Sequence, residues 1–142
     1  MKSLTHRLII AAAALAVAAG SAFAQTHTYT AEIPHAFQAG KTQMQSGSYR
    51  FKVEPQGGNS VVTVRNLDTN QKIYLLPSAG TDAPKAWTRA GKAVIALDCA
   101  AGQCALRSMW DGHSSGVYRF AAPKPVRETR FVSMLIPLKP AN

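Results

Sequence analysis

The chain has 142 residues, with 16 basic against 7 acidic side chains, a net charge of +9 and 46% hydrophobic residues. That length allows one domain with one modest core and excludes a two-domain enzyme. Valine, leucine and aromatic residues run through the whole chain, which excludes a disordered polybasic tail.

The first element is a secretory signal over residues 1–24. Lys2 and Arg7 supply positive charge, Leu8 to Ala19 is an apolar run of 12 residues, and Ala22-Phe23-Ala24 is a small-x-small cleavage site. A helix of that run rises about 18 Å, short of the ~30 Å hydrocarbon core, so it reads as a leader and not as an anchor. Cleavage after Ala24 removes 24 of the 142 residues and two of the 16 basic ones, leaving 118 residues (25–142) at about +7 as one domain. The first cysteine is Cys99, so no lipid-modified cysteine follows the apolar run. No later stretch is long or apolar enough to span a bilayer, so the expected product is periplasmic or secreted.

All 8 prolines and 9 of the 10 glycines fall beyond residue 24, and the segments between them alternate apolar with polar. This predicts an all-β domain, a single small antiparallel barrel or sandwich of about eight short strands built from hairpins. The first strand runs from about His27 to Ile33, where Pro34 stops it. A loop through Phe37 and Gly40 leads to the alternating Tyr49 to Val53, and Gln56-Gly57-Gly58-Asn59 is a hairpin turn. That turn sets Val53 opposite Val62, Phe51 opposite Val64 and Arg50 opposite Arg65, a like-charge pair tolerable only if both face water. Asp68-Thr69-Asn70-Gln71 reverses the chain again and lays Leu75 opposite Val64, completing a meander.

Pro77 to Lys85 is loop, and Trp87 leads into a strand from Lys92 to Asp98. Cys99 and Cys104 close the next hairpin, since an oxidising compartment favours joining them. The bond clips a small loop and contributes about 2 kcal/mol. Four residues lie between the cysteines, unlike the Cys-x-x-Cys spacing of a redox pair, and His113 is the one histidine in that half to complete a metal site. The register puts Leu97 opposite Leu106, Ile95 opposite Ser108 and Ala93 opposite Trp110, with Asp98 and Arg107 as diagonal neighbours able to pair. Asp111 to Gly116 is a turn, Val117 to Phe120 a short strand and Ala121 to Val126 a proline-interrupted crossing. Arg130 to Leu138 is apolar on both faces and reads as a buried closing strand, with a short helix as the alternative.

Gly112-His113-Ser114-Ser115-Gly116 fits the Gly-x-Ser-x-Gly elbow by letter. The elbow needs a strand-to-helix turn in a large α/β sheet, whereas this segment joins two short strands, so it is read as a turn. His27, His35 and His113 are far apart, and the seven carboxylates are dispersed without a pair for acid and base work. No enzyme activity, cofactor or metal site is expected. The basic excess is the feature that can bind something: Arg50, Lys52 and Arg65 share the outward face of the first hairpin, and Lys124, Arg127 and Arg130 cluster before the last strand. Such patches attract an anionic envelope polymer or lipid surface, or they keep an exported domain soluble. Nucleic acid is not expected, because Tyr49 and Phe51 alternate inward and leave no stacking platform. Two further classes are a carrier of a small apolar ligand, with a barrel mouth lined by Tyr49, Phe51, Trp87 and Trp110, and an inhibitor of an envelope-attacking hydrolase.

Phe37-Gln38-Ala39-Gly40, Gln45-Ser46-Gly47-Ser48-Tyr49, Val64-Arg65-Asn66 with Asp68, the later Trp110 and Arg127-Glu128 form a recurrent set of turn and strand signals. With these the chain resembles a group of small exported β-rich proteins of Gram-negative bacteria that have no established activity. It departs from them at Gln45 and Ser46, where members of the group carry proline and alanine. The resemblance implies a β-barrel-like domain and carries no catalytic residues.

Overall fold

The structure is a computed structural model and describes residues 25–78, 80–122 and 130–141. The signal segment and two members of the second basic cluster, Lys124 and Arg127, lie outside the described residues. Eleven strands and one short helix occur among those described. In chain order they are β1 (His27–Ile33), β2 (Phe37–Ala39), β3 (Thr42–Met44), β4 (Gly47–Gln56), β5 (Asn59–Asn66), β6 (Lys72–Leu75), α1 (Lys85–Ala90), β7 (Val94–Ala100), β8 (Gln103–Trp110), β9 (Tyr118–Arg119), β10 (Val132–Pro137) and β11 (Lys139–Pro140). Sheet I has the order β11-β1-β4-β5-β6, and sheet II the order β10-β7-β8-β2-β3 with β9 on β8. The two sheets do not close into a barrel, so the architecture is the sandwich form of the predicted all-β fold.

Alternation builds the core. Tyr29, Ala31 and Ile33 of β1, Tyr49, Phe51 and Val53 of β4, and Val62 and Val64 of β5 are buried, and from sheet II they meet Phe37, Leu97, Leu106 and Met109. Phe37 and Tyr49 touch edge to face across the layers, 5.2 Å between ring centroids. The first hairpin pairs as predicted, with Val53 opposite Val62, Phe51 opposite Val64 and Arg50 opposite Arg65.

Elsewhere the structure corrects the predicted registers. β5 and β6 pair two residues out of the predicted register, with Leu75 opposite Val62 and Ile73 opposite Val64. The cause is Asn66, whose Oδ1 accepts from Asp68 N (2.8 Å) and Thr69 N (3.0 Å) and so closes a longer turn. β7 and β8 hold Cys99 opposite Cys104 and Leu97 opposite Leu106, after which a bulge shifts the pairing to Ala96 with Ser108, Ile95 with Met109 and Val94 with Trp110. The extra residue lets Leu106 and Met109, three apart, both reach the core, where each is fully buried.

Two features were invisible to alternation. The expected loop through Phe37 holds β2 and β3, and β2 lies parallel to β8, the one exception to antiparallel pairing among the described residues. Three-residue strands are too short to show a period. The segment around Trp87 is α1, preceded by Pro84 and ended by Gly91 in the left-handed conformation, with no buried side chain to mark a helical face. The last segment is a strand and not a helix, but it is not buried on both faces: β10 is an edge strand with Val132 67% and Leu135 51% exposed. At Leu138 the chain crosses from sheet II to sheet I, where Ala141 N donates to Thr28 O at 2.9 Å.

Candidate functional site

The outward residues of sheet I stack in rows across the strands. One row runs through Lys139, Thr30, Arg50, Arg65 and Lys72, and the next through Thr28, Lys52, Thr63 and Tyr74. Neighbouring strands lie about 4.8 Å apart, so Arg50, Arg65 and Lys72 occupy three successive steps of a cationic ladder. Together with Lys52 they line a groove of about 450 Å³, to which Thr28 and Thr63 add hydroxyl groups.

The partners of these cations decide how much charge the groove presents. Lys52 is neutralised by Glu54, Nζ to Oε1 2.7 Å. Arg65 is oriented by the neutral Asn70, to whose Oδ1 its Nε donates at 2.9 Å and its Nη2 also donates. Lys72 Nζ sits 4.9 Å over the ring of Tyr74, which is 64% exposed. The ion pairs among the described residues are Lys52–Glu54 and Asp98–Arg107, so Arg50, Arg65 and Lys72 have no carboxylate partner there. Like charges placed opposite one another repel, and an anion between them relieves that repulsion.

Arg50, Lys52 and Arg65 are therefore brought together, and Lys72 joins them because the observed register sets it opposite Arg65. Arg130 is exposed just ahead of β10, on the other sheet. The four aromatic residues assigned to a barrel mouth are not gathered around one. Tyr49 and Phe51 are fully buried members of the core, Trp110 is buried with its Nε1 donating to Ser114 O at 2.8 Å, and Trp87 is half-buried on α1. Cys99 and Cys104 are cross-strand partners joined by a disulfide. Beside them Arg107 Nε meets Asp98 Oδ2 at 2.7 Å, the diagonal pair expected from the sequence, and Ser133 Oγ donates to Asp98 Oδ1 at 3.0 Å.

A second polar cluster surrounds Asp111, which is almost fully buried. Its Oδ1 accepts from His113 N (2.9 Å), Ser114 N (2.7 Å) and Ser114 Oγ (2.8 Å), while its main-chain oxygen accepts from Tyr29 Oη (2.8 Å). Burial alone would raise the Asp111 carboxyl, but the hydrogen bonds from Ser114 and His113 outweigh it and hold the group below its ordinary value. Burial first, then the Asp111 charge, pushes Tyr29 up to about 12, and the same causes raise Tyr118. The Ser114 hydroxyl lies against Asp111 and Gly116 O and no imidazole bonds to it, so Gly112 to Gly116 is a turn organised by Asp111. The rings of His27 and His113 approach to 6.1 Å, and His27 lines a cleft of about 320 Å³ together with Gln25, Asp111 and Tyr118.

Among the described residues no group of three or more His, Cys, Asp or Glu side chains is placed to hold a metal, and no helix is long and apolar enough to cross a membrane. Comparison with family models, with characterised proteins and with solved structures finds no match.

Proposed function

We propose that this is an exported, non-enzymatic β-sandwich domain that binds an anionic polymer of the cell envelope on the outer face of sheet I. The observation that carries the reading is the cross-strand row of Arg50, Arg65 and Lys72 without a carboxylate partner among the described residues. A solvated surface needs charge but has no need to place three cations on adjacent strands, where they repel. Two arginines and a lysine at about 4.8 Å steps suit a chain of phosphate, sulfate or carboxylate groups, which guanidinium forks can grip in pairs. Thr28 and Thr63 offer hydroxyls for sugar oxygens, and the exposed Tyr74 ring offers a flat face. Export rests on the signal segment, and a disulfide fits an oxidising compartment.

The test is retention on immobilised heparin and on lipopolysaccharide. The wild-type domain is held at low salt and released as salt rises. The triple variant Arg50→Gln/Arg65→Gln/Lys72→Gln elutes early, while a variant with equal charge loss elsewhere, Lys41→Gln/Lys85→Gln/Arg89→Gln, elutes close to wild type. Equal behaviour of the two variants, or retention indifferent to salt, overturns the reading.

A further inference from the structure

We propose that the exported protein binds one Cu(II) ion through its own amino terminus. The inference rests on cleavage after Ala24, which makes Gln25-Thr26-His27 the first three residues. The free α-amine of Gln25, the main-chain nitrogens of Thr26 and His27, and the His27 imidazole Nδ1 then form an unbroken series of nitrogens. They can wrap one ion in a single plane through fused chelate rings. The histidine must stand third, because one residue more or fewer breaks the last ring.

Planar nitrogen ligation selects Cu(II), which binds such donors most tightly among the first-row divalent ions and prefers tetragonal geometry, whereas Zn(II) favours a tetrahedron. Only one of the four donors is a side chain, so the site does not require a cluster of histidines or carboxylates.

The fold leaves this segment accessible. Gln25 and Thr26 precede β1 and are exposed. Ala141 N donates to Thr28 O, which turns the main-chain groups of Thr28 toward β11 and those of His27 toward Val53. Coordination therefore takes the His27 nitrogen out of the terminal rung of the β1–β4 ladder, where strands open most readily and no further rung depends on it. A second imidazole is near, the His113 ring lying 6.1 Å from that of His27, and Gln25 and His27 line one cleft together with Asp111.

Binding expels the ammonium proton and the two amide protons, with the imidazole entering in its neutral form. Three protons leave per ion, no electron is transferred, and affinity falls as pH is lowered.

The experiment uses untagged protein recovered after export. Its intact mass is measured first, and Cu(II) is then titrated at neutral pH with visible absorption and electron paramagnetic resonance as readouts. The expected result is one equivalent of Cu(II) with the ligand-field band and resonance pattern of a planar four-nitrogen site. His27→Ala abolishes both, and so does a single alanine added ahead of Gln25, a change that leaves every residue of the fold in place. His113→Ala keeps the planar band, and its loss there would overturn the assignment. A mass that puts the first residue elsewhere overturns the cleavage and the site together. A mass corresponding to residues 25–142 without the stoichiometric spectrum overturns the site alone. Gln25 cyclised with loss of ammonia lacks the free amine and overturns the site as well.

Discussion

Tyr49 and Asn66 face each other across the β4–β5 ladder, both fully buried, and Asn66 Nδ2 donates to Tyr49 Oη at 2.9 Å. Tyr49 Oη in turn donates to Gln45 O, and the Asn66 carboxamide oxygen accepts from two nitrogens of the following turn. One buried polar pair thus links the entry to β4 with the β5–β6 turn. Tyr49→Phe keeps the core contacts of the ring but strips a partner from Asn66 and from Gln45. We expect a loss of about 1–3 kcal/mol, seen as a lower urea midpoint with an unchanged slope.

Asp111 makes the fold sensitive to acid. Its folded carboxyl titrates below its ordinary value, so the stability it contributes is present above the unfolded value of 3.8 and is lost as pH falls below that toward the folded value. Asp111→Asn cannot accept as strongly from His113 N, Ser114 N and Ser114 Oγ. It is expected to lower stability at neutral pH by about 1–3 kcal/mol and to flatten the acid limb of a stability profile. Tyr29 acts at the other end: its folded value of about 12 against 10.0 unfolded makes stability fall as pH rises between the two, which Tyr29→Phe removes.

The first hairpin was legible because two glycines and a clean alternation leave one register that buries Phe51, Val53, Val62 and Val64. The next turn was not, because what sets it is the Asn66 side chain reaching two nitrogens ahead, a choice no hydrophobic pattern records. The error is functional as well as structural. In the predicted register Lys72 falls opposite Leu67 and Tyr74 opposite Arg65, whereas the observed one sets Lys72 directly opposite Arg65 and completes the cationic row. A slip of two preserves which face is buried, so the apolar pattern could not reveal it. In the second hairpin the disulfide and Leu97 opposite Leu106 were readable, and the bulge was not, because both Ser108 and Met109 suit a strand. Tyr49 and Phe51 read equally well as pocket lining or as core, and only the opposing sheet, with Phe37 against Tyr49, distinguishes the two.

Gly47 sits at a φ of +150°, at the first position of β4, with Asp68 pressed against the place where a side chain would project. Asp68 Oδ2 accepts from Ser48 N at 2.9 Å, tying the same turn to the start of β4. Gly47→Ala is strained in its backbone and displaces that carboxylate. A loss of about 1–3 kcal/mol is expected. Gly58→Ala, also at positive φ but with open space around it, separates the two effects, since it carries the backbone strain alone.

The Cys99–Cys104 bond closes a loop of sequence separation 5 between residues already paired in the ladder. Chain entropy for so short a loop contributes about 2 kcal/mol, well below what the core supplies. Cys99→Ser/Cys104→Ser is therefore expected to fold, with a lower denaturation midpoint equal to that of the reduced wild type. A variant that fails to fold at all would mean the bond holds more than its hairpin.

Arg50 and Arg65 set stability against binding. Arg50 lies opposite Arg65 on one side and Thr30 on the other, with no ion-pair partner among the described residues. Threonine at position 50 is a good strand residue, removes the opposed like charge and continues the row of Thr30. Arg50→Thr is thus expected to raise stability by a few tenths of a kcal/mol and up to about 1 kcal/mol, an effect that shrinks as salt screens the pair. The same change removes the first of the three cations of the ladder, so retention on an anionic polymer falls and its salt dependence becomes shallower. A more stable protein that binds less is the signature of a row kept for its ligand. Both quantities come from one preparation, by urea denaturation and by salt elution. If Arg50→Thr leaves the elution salt unchanged, the row serves only as a charged surface.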